Sequence, residues 1–280
     1  MPAAVAFGDI AKKAKGLLGG DAATGTFQLA PKLVINSTTA SGVGITATAV
    51  QKGDKLDASV KAAYTTGDKK YSGDVTVDPS GKVAINTSIH NVGPGVKLTA
   101  AVSLPNPASS AKLTADYSSE ALSIKSTVGL NASPVVDVAL ATAVKDILLG
   151  AEVAYDTAKA DLTKYNFVAG YHAADFQASA TLADKLSVLK LVYSHNVSAK
   201  ATVGAELSRS LAGGATTFAL AYARILAGGA LTKLKLESSG ALTALYQTKL
   251  QGGEKVTGSV QVQATNLTLG PKYGFALDLA

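Results

Sequence analysis

The chain has 280 residues, 47% apolar and only 16% charged, with a formal net charge of +6, a mean hydropathy of +0.23 and no cysteine. Charge this sparse, against roughly 25% in an ordinary soluble domain, covers a water-facing sphere of this size poorly, and the lack of cysteine excludes disulfides and thiolate metal sites. No apolar run reaches the 18 or so residues of a membrane-crossing helix, and the few arginines and scattered lysines give no nucleic-acid patch.

Residues 1–25 form the first unit. Ile10, Ala14, Leu17 and Leu18 recur at helical spacing, with Lys12, Lys13 and Lys15 on the other side, so a short basic amphipathic helix is expected. The segment lacks the apolar core and cleavage site of a secretory signal, and Asp9 with the absence of arginine and serine argues against a cleaved presequence; the helix is expected to be retained. Gly19, Gly20 and Gly25 then read as a flexible hinge.

From Thr26 to the end, residues 26–280 read as one unit of strands. Val197–Ser208 states the rule most clearly: Val197, Ala199, Ala201, Val203, Ala205 and Leu207 alternate with Ser198, Lys200, Thr202, Gly204, Glu206 and Ser208. Alternate side chains of a strand leave on opposite faces, so one face is apolar and the other polar. Its length suits a tilted crossing of a hydrocarbon layer, which takes about 9–11 residues.

The preceding strands are expected at Thr26–Asn36, Val43–Gln51, Lys55–Thr65, Lys69–Asp78, Lys82–His90, Gly95–Leu104, Ser110–Tyr117 and Ala121–Leu130, then Val135–Ala143, Ile147–Asp156, Thr163–His172, Asp175–Ala183 and Lys185–His195. Ala215–Arg224, Gly229–Glu237, Ala241–Leu250, Lys255–Ala264 and Lys272–Leu279 follow, which makes about nineteen. Turn signals such as Gly53-Asp54 and Pro79-Ser80-Gly81 separate them. A modestly hydrophobic chain of long alternating segments without a helical span predicts an all-β transmembrane barrel, since closure satisfies every backbone hydrogen bond in lipid. An odd number of strands in a meander makes the first and last parallel, and Pro31 in the first strand suits such a seam.

Several stretches resemble the eukaryotic mitochondrial porins, the voltage-dependent anion channel family. Phe7-Gly8-Asp9-Ile10-Ala11-Lys12-Lys13-Ala14-Lys15 looks like the family's N-terminal segment, and Gly95-Val96-Lys97 resembles its Gly-Leu-Lys motif. Tyr155-Asp156-Thr157-Ala158-Lys159 with Asn166-Phe167-Val168-Ala169-Gly170-Tyr171 looks like its middle hairpin. The last strand, with Lys272, Gly274, Phe275, Leu277 and Leu279, is similar to the sorting signal of mitochondrial barrels. There are departures. Ile225 stands where an acid is usual between Tyr222 and Lys233, Gly20 replaces a lysine of many animal members, and Asp74 falls on the polar register, so the lipid-facing glutamate of some members has no counterpart. Without tryptophan, an aromatic girdle is expected from Tyr64, Tyr71, Tyr155, Tyr171, Tyr246 and Tyr273.

The resemblance implies a voltage-gated, weakly anion-selective pore of the mitochondrial outer membrane that passes ATP, ADP, phosphate and small ions, with the helix inside the lumen. It implies no enzyme activity, and no cofactor or metal is expected. Besides the bilayer and permeant nucleotides, it leaves room for a homo-oligomer and cytosolic docking proteins; the alternative is a barrel of the same fold serving mainly protein translocation or docking.

The residues themselves supply the selectivity argument. Nineteen tilted strands enclose a backbone diameter of roughly 35–40 Å, enough for a helix beside an aqueous passage. The register opposite the lipid face carries Lys61, Lys97, Lys112, Lys125, Lys200, Lys233, Lys235, Lys249 and Lys255 against Asp57, Asp74, Asp116, Asp137, Glu152 and Glu206, and Lys12 and Lys15 add to the positive side. Such linings favour anions, weakly in a wide pore where charges are screened over about 8 Å. Family analogy adds Lys12, Lys15, Gly95, Val96 and Lys97 as nucleotide contacts. Displacing the helix or deforming the charged wall would couple to voltage, and cysteines at Ile10 and Phe167 are the pair expected to tether the helix. Gly42-Val43-Gly44 opens a strand with no helix after it, which argues against dinucleotide binding, and His90, His172 and His195 lack ligand spacing.

Overall fold

A computed structural model describes residues 4–21 and 24–279. Nineteen strands close into a barrel: β1 (Lys32–Thr38), β2 (Gly44–Lys52), β3 (Lys55–Thr65), β4 (Tyr71–Val77), β5 (Val83–Gly93), β6 (Val96–Leu104), β7 (Lys112–Ser118), β8 (Leu122–Gly129), β9 (Val135–Val144) and β10 (Ile147–Asp156). They continue as β11 (Asp161–His172), β12 (Phe176–Ala183), β13 (Val188–Ser198), β14 (Ala201–Ser210), β15 (Thr216–Ile225), β16 (Leu231–Glu237), β17 (Ala241–Lys249), β18 (Lys255–Gln263) and β19 (Lys272–Leu279). Neighbours are antiparallel except at the seam, where β19 pairs with β1 in parallel, Ala276 opposite Lys32 and Leu279 opposite Ile35. All odd-numbered strands therefore run from the rim where β1 starts, here the lower rim, to the upper one.

The two faces of the wall can be assigned without reference to polarity. A Cβ built on Gly150, Gly170 or Gly204 runs into Phe7, Ile10 or Leu17, so these glycines face the N-terminal segment inside the barrel. Residues paired across a ladder share a face, and the pairings carry that assignment around the ring. All ten tyrosines of the chain then lie on the outward register, including the six expected in the girdle. Tyr171, Phe176, Tyr193 and His195 adjoin one another there near the upper rim.

Most boundaries fall within about three residues of the sequence expectation, and two starts differ by more. β1 starts at Lys32, not Thr26, because residues 26–31 run along the inner wall instead. The Gln28 amide donates to Ser259 Oγ at 3.0 Å, and a Cβ on Gly274 would collide with the backbone of Leu29 and Ala30. Pro31, just before β1, accepts a 2.9 Å hydrogen bond from the Gln51 amide. The segment Val197–Ser208 is not one strand: β13 continues through Ser198, Ala199-Lys200 is the turn, and β14 starts at Ala201. Neither turn residue is Gly, Pro, Asn or Asp, so alternation ran through the hairpin unmarked.

The N-terminal segment is a 3₁₀ turn (Phe7–Asp9), a break at Ile10 and Ala11, and helix α1 (Lys12–Gly19). Ala11 at φ 61° sets the kink between them. Within the expected hinge, Gly20–Asp21 pairs antiparallel with Gly25–Thr26. Gly20 (φ 134°) and Gly25 (φ 69°) take conformations that side chains resist, while the Asp21 carboxylate accepts from the Thr24 amide at 2.6 Å and the Thr24 hydroxyl at 2.8 Å.

Candidate functional site

Away from the N-terminal segment the inward register is mostly polar or small. Beneath that segment it turns apolar, and the chain's buried aliphatic clusters form between segment and wall. Ile10 packs with Ala141, Leu148 and Val168. Ala14, Leu17 and Leu18 pack with Val192, Ala221, Ala223, Leu231 and Leu245. Three glycines serve as sockets: an ideal Cβ would lie 2.8 Å from Phe7 Cδ2 at Gly150, 2.8 Å from Ile10 Cγ2 at Gly170 and 2.6 Å from Leu17 Cδ2 at Gly204. A β-carbon at those positions would press on the ends of the Phe7, Ile10 and Leu17 side chains, so added bulk there works against the seated segment. Beyond α1 the segment is pinned again, the Ala4 amide donating to the Glu120 carbonyl at 2.7 Å in the β7–β8 turn.

Phe167 is on the outward register and half exposed. The position facing Ile10 is Gly170, so a tether from residue 10 belongs there and not at 167.

Most expected lining lysines lie on the inward register: Lys61, Lys97, Lys112, Lys125, Lys235, Lys249 and Lys255. Four have partners, Lys61 with Asp74 at 3.5 Å, Lys125 with Asp116 at 3.9 Å, Lys235 with Glu237 at 2.6 Å and Lys255 with Asp278 at 2.8 Å. Among the described residues Lys97, Lys112 and Lys249 have no carboxylate within the 4.0 Å of an ion pair. Lys200 is in the Ala199-Lys200 turn at the upper rim rather than on a strand. Lys233 faces inward but is wholly buried, its Nζ donating to the carbonyls of Gly16 at 3.0 Å and Gly25 at 3.1 Å and lying 4.6 Å from the Phe27 ring centroid. It therefore presents no charge to the passage.

Further inward lysines went unassigned in the sequence, among them Lys32, Lys52, Lys55, Lys164, which pairs with Glu152 at 2.8 Å, and Lys190. The signal was present, since Lys164, Asn166 and Lys190, Ser194 alternate with Tyr165, Phe167 and Leu189, Leu191.

The expected anion contacts are dispersed. Lys12 is exposed and holds Asp9 at 2.9 Å, and that hydrogen-bonded partner raises the lysine pKa. Lys15 is pushed down, first by burial and then by Lys190. It lines a cavity of about 430 Å³ with Glu206, Lys235 and Glu237 between α1 and the wall. Of Gly95, Val96 and Lys97 only the lysine serves the lumen. Gly95 (φ 72°) makes the hairpin, its carbonyl accepting from Ser118 N at 2.9 Å, and Val96 points outward. On β19, Lys272 and Gly274 face in, and Phe275, Leu277 and Leu279 face out. His90 bonds Ser72 Oγ at 2.9 Å. Among the described residues no group of His, Cys, Asp and Glu is placed to hold a metal.

The geometry is that of a closed, wet-cored barrel with an internal plug along one side. The family model described as eukaryotic porin matches residues 3–275. The mitochondrial outer membrane protein porin 5 of Oryza sativa subsp. japonica is 32% identical over 278 residues, which cover 98% of this chain and 96% of that protein. The mitochondrial outer membrane protein porin 4 of Arabidopsis thaliana is 28% identical over 273 residues, covering 98% and 97%. With a closed nineteen-strand wall, a parallel seam and a family match over nearly its whole length, the chain belongs to the eukaryotic porin family.

Proposed function

We propose that this porin, a pore for small solutes in the mitochondrial outer membrane, is weakly anion-selective and closes under applied voltage. The observation that carries the selectivity is the inward register, where, among the described residues, Lys97, Lys112 and Lys249 stand outside ion pairs while Asp74, Asp116, Glu152, Glu237 and Asp278 are engaged by lysines and, of the expected lining acids, Asp137 and Glu206 are not. A charge bound to its opposite contributes little field beyond a Debye length of about 8 Å, so the unengaged lysines set the sign. Chloride, phosphate, ADP and ATP are the permeants this lining favours, with Lys12, Lys15 and Lys97 as transient phosphate contacts. Phe275, Leu277 and Leu279 on the outer face of β19, with Lys272 and Gly274, serve as the targeting signal. Planar-bilayer recording across a KCl gradient tests the reading: the reversal potential should take the anion sign, and conductance should step down as voltage rises in either direction. A cation-signed reversal would overturn the selectivity, and an ohmic response to 100 mV the gating.

A further inference from the structure

Lys233 lies on the same inward register as the selectivity lysines, yet it is the largest fully buried side chain of the described residues. Burying an ammonium is costly unless its donors are satisfied, and here they are directed at backbone oxygens of one particular segment. Gly16 O lies in α1 and Gly25 O on the far side of the paired turn, so a single Nζ ties together both ends of the link between helix and wall. Thr24 Oγ1 lies 2.9 Å from the same Gly16 carbonyl, sharing its one hydrogen between that oxygen and the Asp21 carboxylate, and the Phe27 ring covers the ammonium at 4.6 Å. A Cβ at Gly16 would collide with the Asp21 side chain, and one at Gly25 would lie 3.1 Å from Leu231 Cδ2 and 3.2 Å from Gln247 Oε1. A side chain at either glycine would crowd the link that these carbonyls belong to.

We infer that Lys233 is a positioning residue: a latch from β16 that holds the C-terminal end of the N-terminal helix against the wall, contributing to a steady open pore and not to its ion preference. The glycine sockets fix where the apolar face sits, but aliphatic packing is non-directional and does little to orient the C-terminal end of the helix. Two charge-assisted hydrogen bonds to fixed carbonyls supply direction. The latch needs only the pore itself and holds whether or not the channel is anion-selective or gated by voltage.

The test uses the full chain refolded into planar bilayers, comparing wild type, Lys233→Met and Phe27→Leu. Methionine keeps the length and apolar stem but donates nothing. Expected for Lys233→Met is open-channel current broken by frequent sub-conductance transitions at low voltage, with the reversal potential in a KCl gradient unchanged. A cystine between Leu17→Cys and Gly204→Cys, added to Lys233→Met, should restore the quiet level, because it reties the helix near the same place. Phe27→Leu, which removes the ring and keeps the ammonium, should show a weaker form of the same noise and covers the case in which Lys233→Met does not refold. A reversal shift without added noise would make Lys233 an ordinary lining charge and overturn the latch. So would wild-type traces from both variants, or noise that the cystine fails to quiet.

Discussion

How firmly the N-terminal segment sits can be worked from its burial and set against the work a membrane potential can do. Ile10, Leu17 and Leu18 are each exposed by 4% or less, and at about 1.5–3 kcal/mol for each aliphatic side chain removed from water they hold the segment by roughly 5–9 kcal/mol. Lys12, Lys13 and Lys15 against Asp9 leave two net positive charges on it. Moving one charge through 100 mV is worth about 2.3 kcal/mol, and a segment already inside the lumen crosses only part of that drop, so roughly 2 kcal/mol is available. The difference of at least about 3 kcal/mol corresponds to a helix unseated about 1% of the time or less. Thiol labelling can measure this on a clean background, since the chain has no cysteine. Ala14→Cys places a thiol in the fully buried interface, and Lys12→Cys places one where the side chain is 69% exposed. A membrane-impermeant methanethiosulfonate should modify position 14 at least about a hundredfold more slowly than position 12 at 100 mV, and more slowly still at zero voltage. Filling the sockets should reverse this: overpacking costs about 1–3 kcal/mol per site, so Gly150→Val, Gly170→Val and Gly204→Val together approach the whole seat and should expose position 14. Labelling of position 14 within tenfold of position 12 at 100 mV in the otherwise unaltered chain would refute the reasoning and make the helix the moving part.

Other outcomes are expected. Cysteines at Ile10 and Gly170 should form a disulfide under mild oxidation, whereas Ile10 with Phe167 should not, because residue 167 faces lipid; gel mobility distinguishes them. Lys97→Glu combined with Lys112→Glu should carry the reversal potential toward zero or past it, by reversing two unengaged lining charges. Leu220→Arg on the outward register should destabilise the barrel by about 2–4 kcal/mol in urea unfolding from vesicles, while Thr48→Arg on the inward register should stay within about 0.5 kcal/mol. In the rim turns, Asp68 is held below the usual carboxylate range chiefly by the Thr66 hydroxyl, and Asp78 by the Ser80 hydroxyl. Their depressed folded values mean that the turn hydrogen bonds are at full strength above the ordinary value of 3.8 and are lost as pH falls through the lower folded values. NMR titration should show this, and Thr66→Ala should bring Asp68 back toward the ordinary value.

The barrel was legible because lipid on one side and water on the other impose period two on nearly every strand. All nineteen expected segments have a counterpart, and the odd number announced the parallel seam. What failed did so where that rule is suspended. Leu148, Val168, Val192 and Leu245 are apolar on the inward register because they face a helix, and a strand pattern cannot say which stretch of lumen is dry. Gly150, Gly170 and Gly204 look like weak points in strands until Phe7, Ile10 and Leu17 fill the space they leave. Lys233 obeys the alternation and was grouped with the lining, since the carbonyls that bury it lie 217 and 208 residues away in sequence. Thr26–Pro31 continued the strand's composition while running inside, held by the Gln28 bond to Ser259 and the gap at Gly274.

The parallel joint also settles the traffic at the two mouths. Because β1 and β19 climb in the same direction, both start toward the lower mouth, and Leu279, the last described residue of the wall, points toward the upper one from a place opposite Ile35, partway up β1. The chain ahead of Lys32 runs inside the bore beneath that joint, with Gly274 as the notch against which Leu29 and Ala30 pass. With an even number of staves the wall would begin and end at a single mouth; here it begins at one and ends heading toward the other.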